Sequence, residues 1–324
     1  MHMSDALLSA PVAVVADAVA VTLLATAAVR LRKSRRDNSV ALMGVMGAFV
    51  FAAQMLNFAI PGTGSSGHIV GGVLLAAMLG PWAAFLTLSS VLIIQCLVFA
   101  DGGLMALGCN IVNMAAMTAL VAYPLVYRPI MGRSQTKPWR LMLASVAACV
   151  VGLELGALLV TGETMASGIT ALPAGKFFTL MTAIHLAIGA VEGIATGAVL
   201  VFVRNSRPEL LIPDQSGTAP AKRRKALLWG FGIAAVVIAG GLAFFASSDP
   251  DGLEWSIGKV AGTAELAQQH ISALSEGAAT VQQSTAVMPD YNSSFSGILG
   301  AAMVLLVVWA FTTLLARKRA KVHN

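Results

Sequence analysis

The sequence predicts an all-α integral membrane protein: a seven-span helical domain followed by a two-span module, nine membrane helices in total. First, 57% of the 324 residues are hydrophobic and only 11% are charged, whereas soluble domains carry about 25% charged residues. Second, the apolar residues form runs that can cross a bilayer. Third, all 21 Lys and Arg residues except Lys176 and Lys259 lie in four clusters beside those runs. This pattern is typical of cytoplasmic loops rather than of a nucleic-acid-binding surface.

The predicted spans follow one another between the basic clusters and short turns. The third is shorter than a bilayer normally requires. This short span is needed because residues 61–68 must lie outside and residues 124–140 inside, so an odd number of crossings must separate them. Three crossings satisfy this condition, with Gly80-Pro81 as a tight cytoplasmic turn. The nine spans are residues 6–29, 41–60, 69–80, 82–100, 103–124, 141–160, 178–203, 226–247 and 297–316.

The basic clusters also predict the orientation of the chain. They place residues 30–36, 128–140, 204–225 and 317–321 in the cytoplasm. The N-terminus is then outside and the C-terminus inside, in a bacterial inner membrane. A cleaved signal peptide is the alternative reading of residues 1–29, but its positive charges would precede the apolar run rather than follow it.

A polar segment at residues 206–225 divides the chain and reads as a cytoplasmic linker, because it contains prolines and ends in a basic cluster. Residues 1–205 form the predicted first domain. Residues 226–324 form the module, whose two membrane helices are joined by an acidic external loop at 248–296. That loop either attracts cations by its field or is simply solvated, and charge alone favours the second reading.

No motif for the common catalytic chemistries is present. The sequence lacks GxxxxGK[ST], GxGxxG, a Ser-His-Asp arrangement and a metalloprotease motif, so an enzyme is not predicted. Cys96, Cys109 and Cys149 lie in apolar runs and are interpreted as buried hydrophobic residues. His185 and Glu192 share one face of the seventh span. They are either acid–base groups or, as we favour, a structural pair that ties helices together.

The opening dipeptide Met1-His2 offers three nitrogens to a metal. The terminal amine, the amide nitrogen of His2 and an imidazole nitrogen of His2 can close two fused chelate rings in one plane. All-nitrogen square-planar coordination suits Ni(II) or Cu(II), whereas zinc prefers a tetrahedron. A cloning scar or a chance histidine is the alternative, and the dipeptide alone favours that alternative.

A second histidine lies on the same predicted side of the membrane. His68 ends the glycine-rich stretch NFAIPGTGSSGH at 57–68. Irregular backbone at membrane depth is tolerated where protein buries it or a cavity hydrates it. We therefore predict a re-entrant segment that carries His68 into the bundle, where it can supply the fourth nitrogen.

Several stretches, in order along the chain, resemble the CbiM/NikM family. These proteins are the substrate-binding membrane subunits of energy-coupling-factor transporters for cobalt and nickel. MHMSDALL at 1–8 resembles the family's MHI-x-DG opening, although Ala6 stands where glycine is usual. SSDPDGLEW at 247–255 is similar to the PDGLE-type accessory module, fused in this chain. The other matching stretches are NFAIPGTGSSGHIVGGVLLAAMLGP (57–81), IQCLVFADGGLMALGCNIVNMA (94–115) and HLAIGAVEGIATG (185–197).

The resemblance implies a metal site and partners. The ligands would be the terminal amine of Met1, His2 and His68. A separate transmembrane coupling protein and two cytoplasmic ATPases would drive transport. Four polar residues in the matching motifs are candidates for hydrogen bonds that orient the ligands, with helix capping or interhelical bonding as the alternative: Asn57, Asp101, Asn110 and Asn113.

The predicted function is therefore capture of Ni²⁺ as a transported substrate. Co²⁺, supplying cobalamin biosynthesis, is the alternative in the same role. A self-sufficient secondary carrier should show paired broken helices in two related halves, and a membrane enzyme should show a convergent nucleophile or metal triad. The sequence shows neither pattern.

Overall fold

The computed structural model describes residues 1–33, 39–132, 137–206, 221–264, 266, 272–291 and 295–320. Within them the chain is mainly helical. The helices are α1 (Ala10–Lys33), α2 (Ser39–Gln54), α3 (Gly72–Leu79), α4 (Pro81–Phe99), α5 (Leu107–Met131), α6 (Pro138–Ser167), α7 (Ala174–Ser206), α8 (Ala221–Gly240), α9 (Gly252–Ala261), α10 (Ala273–Thr285) and α11 (Ser296–Ala320).

Five of these helices are long and apolar enough to cross a membrane, namely α1, α4, α5, α6 and α7. Three shorter apolar helices, Val40–Gln54, Leu228–Gly240 and Ser296–Ala310, coincide with the predicted second, eighth and ninth spans. The predicted helical membrane protein is confirmed at this level. The third predicted span corresponds to α3, which has only 8 residues and ends at Leu79, directly before Gly80 of the predicted turn. Most of the predicted linker 206–225 lies outside the described residues.

The all-α prediction is wrong at the glycine-rich stretch. Helix α2 ends at Gln54, although the span was predicted to reach residue 60. Two strands follow, β1 (Phe58–Ile60) and β2 (Ser65–Gly67), paired antiparallel with Phe58 opposite Gly67. The turn between them uses Gly62 and Gly64 at φ of 77° and 70°, a left-handed conformation that glycine adopts without steric cost. The hairpin delivers His68 to the bundle interior.

Helices α6 and α7 pack closely through small residues. An added Cβ on Gly193 would overlap the Cα of Val146, and one on Gly189 would lie 2.8 Å from the Cα of Val150. Such residues let two backbones approach, which is how helices associate in membranes without a hydrophobic driving force. This contact leaves His185 and Glu192 of α7 buried, at 1% and 0% exposure.

The segment between α8 and α11 packs on the rest of the protein, so the interpretation of it as simply solvated is wrong. The amide of Ser66 in β2 donates to the carbonyl of Pro250 at 2.8 Å. The indole of Trp255 in α9 donates to the carbonyl of Thr63 at 3.0 Å. In α10, the Gln282 side chain donates to the carbonyl of Gly102 at 2.8 Å. The segment between α8 and α11 therefore covers the hairpin and the loop before α5.

Candidate metal centre

The first eight residues form an arm that is inserted into the protein. Its apolar side chains are buried, with Met3 at 0% and Leu7 at 1% exposure. The main-chain N–H and carbonyl of Met3 both form hydrogen bonds. Its N–H donates to Oδ1 of Asn110 at 2.8 Å, and its carbonyl accepts from Asn110 Nδ2 at 3.2 Å and from the Gly103 amide at 2.9 Å. The two residues before Met3 are thereby placed in the bundle.

The loop before α5 is shaped to receive this arm. Asp5 accepts a hydrogen bond from the Ala106 amide at 2.9 Å. An added Cβ on Gly103 would overlap Oδ1 of Asp5, so the arm passes where a side chain would stand. Gly102 has φ of 80° and lies against the Cβ of His2. The ADGG sequence at 100–103 thus provides close backbone approach.

The imidazole rings of His2 and His68 stack, with centroids 5.3 Å apart and planes inclined by 22°. Nε2 of His2 is 3.3 Å from Oε1 of Gln95, and Nδ1 is 3.2 Å from Oδ1 of Asp101. The His68 ring is buried, and its Nδ1 has no hydrogen-bond partner among the described residues. A buried, unsatisfied nitrogen costs free energy unless a ligand engages it, so this atom is available to an incoming ion.

The terminal amine completes the group of nitrogens. It donates to the Asp251 carboxylate, with which it forms a buried ion pair. Burial lowers the pKa of His2, against the opposing charge of Asp101. Burial also lowers the pKa of His68 to about 3, with further lowering by the terminal amine and His2. Both imidazoles are therefore neutral near neutral pH, the form that ligates metals. Although burial opposes ionisation of Asp251, the terminal amine brings the pKa of its carboxyl below its ordinary value.

His2, His68 and Asp251 line a cavity of about 1070 Å³. In the described part of the chain, no three His, Cys, Asp or Glu side chains form a group that could hold a metal. The candidate site at Met1, His2 and His68 is of another kind, because the donor groups predicted for it include the terminal amine and the main-chain nitrogen of His2, which are not side chains. Cavity-lining side chains include those of His2, His68, Gln54, Gln95, Asp101 and Asp251.

The other residues predicted from the sequence differ in how directly they contact the N-terminal arm. Asp101 contacts His2, and Asn110 holds Met3. Nδ2 of Asn113 donates to Glu163 at 2.7 Å and lies 3.7 Å from the Met3 sulfur. Asn57 lines the cavity, and its carbonyl accepts from the Ser247 amide at 2.7 Å. Its side chain has no hydrogen bond to the arm among those of the described residues.

His185 and Glu192 do not hydrogen-bond to each other in the described structure. Nδ1 of His185 lies 2.8 Å from the Met181 carbonyl in its own helix. The Glu192 carboxylate instead accepts from the amides of Val70 at 2.8 Å and Gly71 at 2.9 Å. It therefore anchors the segment that directly follows His68 and leads into α3.

Sequence reasoning missed four polar residues of this centre: Gln54, Gln95, Asp251 and Tyr291. A signal existed for the glutamines, because amides are costly inside apolar spans and need partners there. The Gln95 amide donates to Gln54 at 2.8 Å, and the Gln54 amide donates to the Val70 carbonyl at 2.9 Å. Asp251 lies in the SSDPDGLEW stretch, but so do Asp249 and Glu254, and no sequence signal singled out Asp251 among the three.

Comparison with known families decides the identity of this chain. The family described as the cobalt uptake substrate-specific transmembrane region matches residues 2–210. The chain belongs to this family, CbiM. The PDGLE domain matches residues 225–317. The chain is thus a membrane protein of a nickel and cobalt transport family, a transport component and not an enzyme.

Two relatives of this CbiM protein are named as fused nickel transport proteins. It is 31% identical to the fused nickel transport protein NikMN of Rhodobacter capsulatus, over 94% of this chain and 95% of that protein. It is 36% identical to the putative fused nickel transport protein NikMN of Archaeoglobus fulgidus, over 70% of this chain and 72% of that protein. A crystal structure titled as a truncated transition metal transporter aligns with a TM-score of 0.54 at 31% identity, covering 63% of this chain and 99% of that chain.

Proposed function

We propose that this CbiM protein captures Ni²⁺ outside the cell with four nitrogens and delivers it as the substrate-specific component of an ATP-driven energy-coupling-factor transporter. The ligands are the terminal amine of Met1, the main-chain nitrogen and imidazole of His2, and the imidazole of His68. The observation that carries this proposal is the stacking of His2 and His68 rings beside the buried amine, with Nδ1 of His68 unpartnered among the described residues.

Chelation by His2 requires its Nδ1, because only this atom closes a six-membered ring with the main-chain nitrogen of the same residue. The amine and that nitrogen close a five-membered ring. Nδ1 presently faces Oδ1 of Asp101 at 3.2 Å. On loading, the ion takes the position that Asp101 faces, and the carboxylate remains nearby as a counter-charge. Asn110 keeps the arm in place by holding both polar groups of Met3, and Asn113 contributes through the Met3 sulfur.

The choice of Ni²⁺ follows from coordination chemistry. A planar set of nitrogens suits Ni(II), while Co(II) lies lower in the affinity order. The second candidate is Co²⁺ in the same role, which the description of the family as cobalt uptake favours. The nickel names of the fused relatives favour the first.

The test is uptake in cells that contain the whole transporter, with Ni²⁺ and Co²⁺ supplied together. Preferential accumulation of Ni²⁺ is expected. Preferential accumulation of Co²⁺ would assign the second candidate. Accumulation of neither ion above that of cells lacking this chain would contradict both.

The topology proposed with this function is nine crossings with the N-terminus outside and the C-terminus inside, in a bacterial inner membrane. Residues 1–205 form the metal-binding domain, 206–225 a cytoplasmic linker and 226–324 the accessory module. One contact supports placing the end of the first span at a membrane interface. The Arg30 guanidinium lies over the Trp82 ring at 4.5 Å, and both residue types are typical of membrane interfaces.

The proposed partners are a transmembrane coupling protein and two cytoplasmic ATPases. They are required because the sequence has no nucleotide-binding motif, while release of a four-nitrogen chelate needs an energy source. The coupling protein would transmit ATP hydrolysis to this chain and open the site toward the cytoplasm.

A further inference from the structure

We propose that Asp251 and Tyr291, both from the PDGLE segment, are positioning residues that hold the Met1-His2 arm in its chelating conformation. Asp251 acts on the terminal amine directly, and Tyr291 acts on His2 through Asp101. This inference rests on the proposed function, because it assigns a role in the same metal centre to a part of the chain that supplies none of its ligands.

The two oxygens of Asp251 have different partners. Oδ1 accepts from the amides of Leu253 at 2.8 Å and Glu254 at 2.9 Å, at the N-terminus of α9. The Glu254 side chain in turn accepts from the Asp251 amide at 3.0 Å, which completes a capping box. The cap fixes the rotamer of Asp251, so that Oδ2 is left aimed at the terminal amine. The segment thus presents one oriented acceptor to the arm.

This contact is compatible with metal binding. The terminal ammonium releases one proton to solvent when its lone pair binds the ion, and the resulting primary amine still carries two N–H groups. One of them can remain hydrogen-bonded to Oδ2 of Asp251 while the lone pair faces the ion. Asp251 therefore holds the amine before and after loading, and its negative charge offsets part of the charge of the ion.

Tyr291 orients the second carboxylate. Its hydroxyl donates to Oδ2 of Asp101 at 2.7 Å, while Oδ1 of Asp101 faces Nδ1 of His2 at 3.2 Å. The Tyr291 ring is itself fixed by stacking on Phe99, with centroids 4.6 Å apart and planes inclined by 15°. One carboxylate is thus placed at each end of the chelating dipeptide, and both placements depend on the PDGLE segment.

The physical effect is preorganisation. Fixing the backbone of a residue costs conformational entropy, and a free N-terminal dipeptide would incur this cost on binding the ion. An arm that is already held in place incurs it on folding, and metal affinity rises accordingly.

The test uses the full chain, purified in detergent and titrated with Ni²⁺ in a calorimeter. Asp251→Asn keeps the helix cap, because asparagine caps as well as aspartate, but removes the charge paired with the amine. Tyr291→Phe keeps the stacked ring and removes the hydroxyl. Asp251→Glu restores a carboxylate. The matched control is Asp249→Asn, an exposed acidic residue two positions earlier in the same segment.

We expect Asp251→Asn and Tyr291→Phe each to weaken Ni²⁺ binding about 10-fold, the size typical of a lost outer-shell partner. Asp251→Glu should recover part of that loss, and Asp249→Asn should bind like wild type. Asp251→Asn should also lower the thermal unfolding midpoint of the metal-free chain, because it removes one partner of a buried ion pair. Recovery of Ni²⁺ affinity in Asp251→Glu separates positioning from a general loss of stability. Should Asp251→Asn fail to fold, Tyr291→Phe decides the matter.

Wild-type affinity in both Asp251→Asn and Tyr291→Phe would overturn the inference and leave the proposed function intact. An equal loss of Ni²⁺ affinity in Asp249→Asn would also overturn the inference, because the effect would then reflect the negative charge of the segment rather than the contact of Asp251 with the amine. Absence of Ni²⁺ and Co²⁺ binding by the wild-type chain would overturn the inference and the proposed function together.

Discussion

His68 is the residue that joins the hairpin to the N-terminal arm. Its ring is buried and stacked on His2, and its Nδ1 has no partner in the described part of the chain. It is proposed to supply the only metal ligand that lies outside the first two residues. Its contribution can therefore be removed without altering the terminal chelate.

His68→Ala should abolish Ni²⁺ uptake and weaken Ni²⁺ binding by more than the roughly 10–100-fold of a lost outer-shell partner, because one of four ligands disappears. The measurement is calorimetric titration of the purified chain. The control is His323→Ala, a histidine of the predicted cytoplasmic tail. Binding of wild-type strength in His68→Ala would remove His68 from the ligand set.

At the residue scale, the sequence predicted which side chains would converge but not what holds them. His2 and His68 were placed on the same side by charge bias and by a glycine-rich loop, and they do stack. Asp251 and Tyr291 lie more than 180 residues from their partners along the chain. Such contacts depend on how the last helices pack, which local pattern does not encode.

The loop before α5 is the element that receives the arm. Gly103→Ala should push the arm out of its groove, because the new Cβ would overlap Oδ1 of Asp5. We expect weaker Ni²⁺ binding, measured by the same titration. The matched control is Gly162→Ala in α6, where an added Cβ meets no atom within 4 Å and alanine should favour the helix. Equal affinity in both variants would show that the groove is not needed.

The entry to α3 is held by a carboxylate from α7. Glu192→Gln should lower the free energy of unfolding by roughly 1.5–3 kcal/mol, the range for a hydrogen bond to a charged group, because an amide offers one acceptor to the two N–H groups of Val70 and Gly71. Metal affinity should fall with it, since His68 precedes this anchor. Thermal unfolding in detergent measures the first effect and calorimetric titration the second.

A matched control exists in the neighbouring helix. Glu154 of α6 has a buried Oε1 without a hydrogen-bond partner among the described residues. Glu154→Gln should therefore leave the unfolding midpoint nearly unchanged. If both glutamine variants unfold alike, the two hydrogen bonds of Glu192 do not stabilise the hairpin segment.

At the element scale, hydropathy predicted where helices occur, because apolar runs of this length have few other solutions in a bilayer. It failed at the hairpin. Residues 58–60 are as apolar as the helix before them, and only the later pairing with residues 65–67 makes them a strand. Hydropathy also did not predict that α9 and α10 pack over the site, because the amphipathic pattern of a helix does not reveal which surface it contacts.

For the whole molecule, the proposed orientation can be tested by labelling. Ser284→Cys, on the exposed surface of α10, should react with a membrane-impermeant maleimide in intact cells, and Ser216→Cys in the predicted linker should not. The three native cysteines are buried, so background labelling is expected to be low. Labelling of Ser216→Cys but not Ser284→Cys would invert the proposed topology.

The sequence predicted that the whole molecule is a helical membrane protein, and it predicted the order of its two parts along the chain. The basic clusters predict the membrane sides, and the motif order resembles one family. The relation between the two parts was not predictable, because it rests on contacts such as the Ser66 amide with the Pro250 carbonyl, in which main-chain atoms carry no sequence signature.

The central claim is that the terminal amine and His2 together bind the metal, and it is tested by inserting one glutamine, a residue large enough to prevent removal of Met1, between Met1 and His2. The insertion keeps both histidines but changes the chelate rings and moves the amine away from Asp251. The measurement is Ni²⁺ titration of this variant beside the wild-type chain. The account predicts loss of high-affinity binding. Undiminished binding would contradict it.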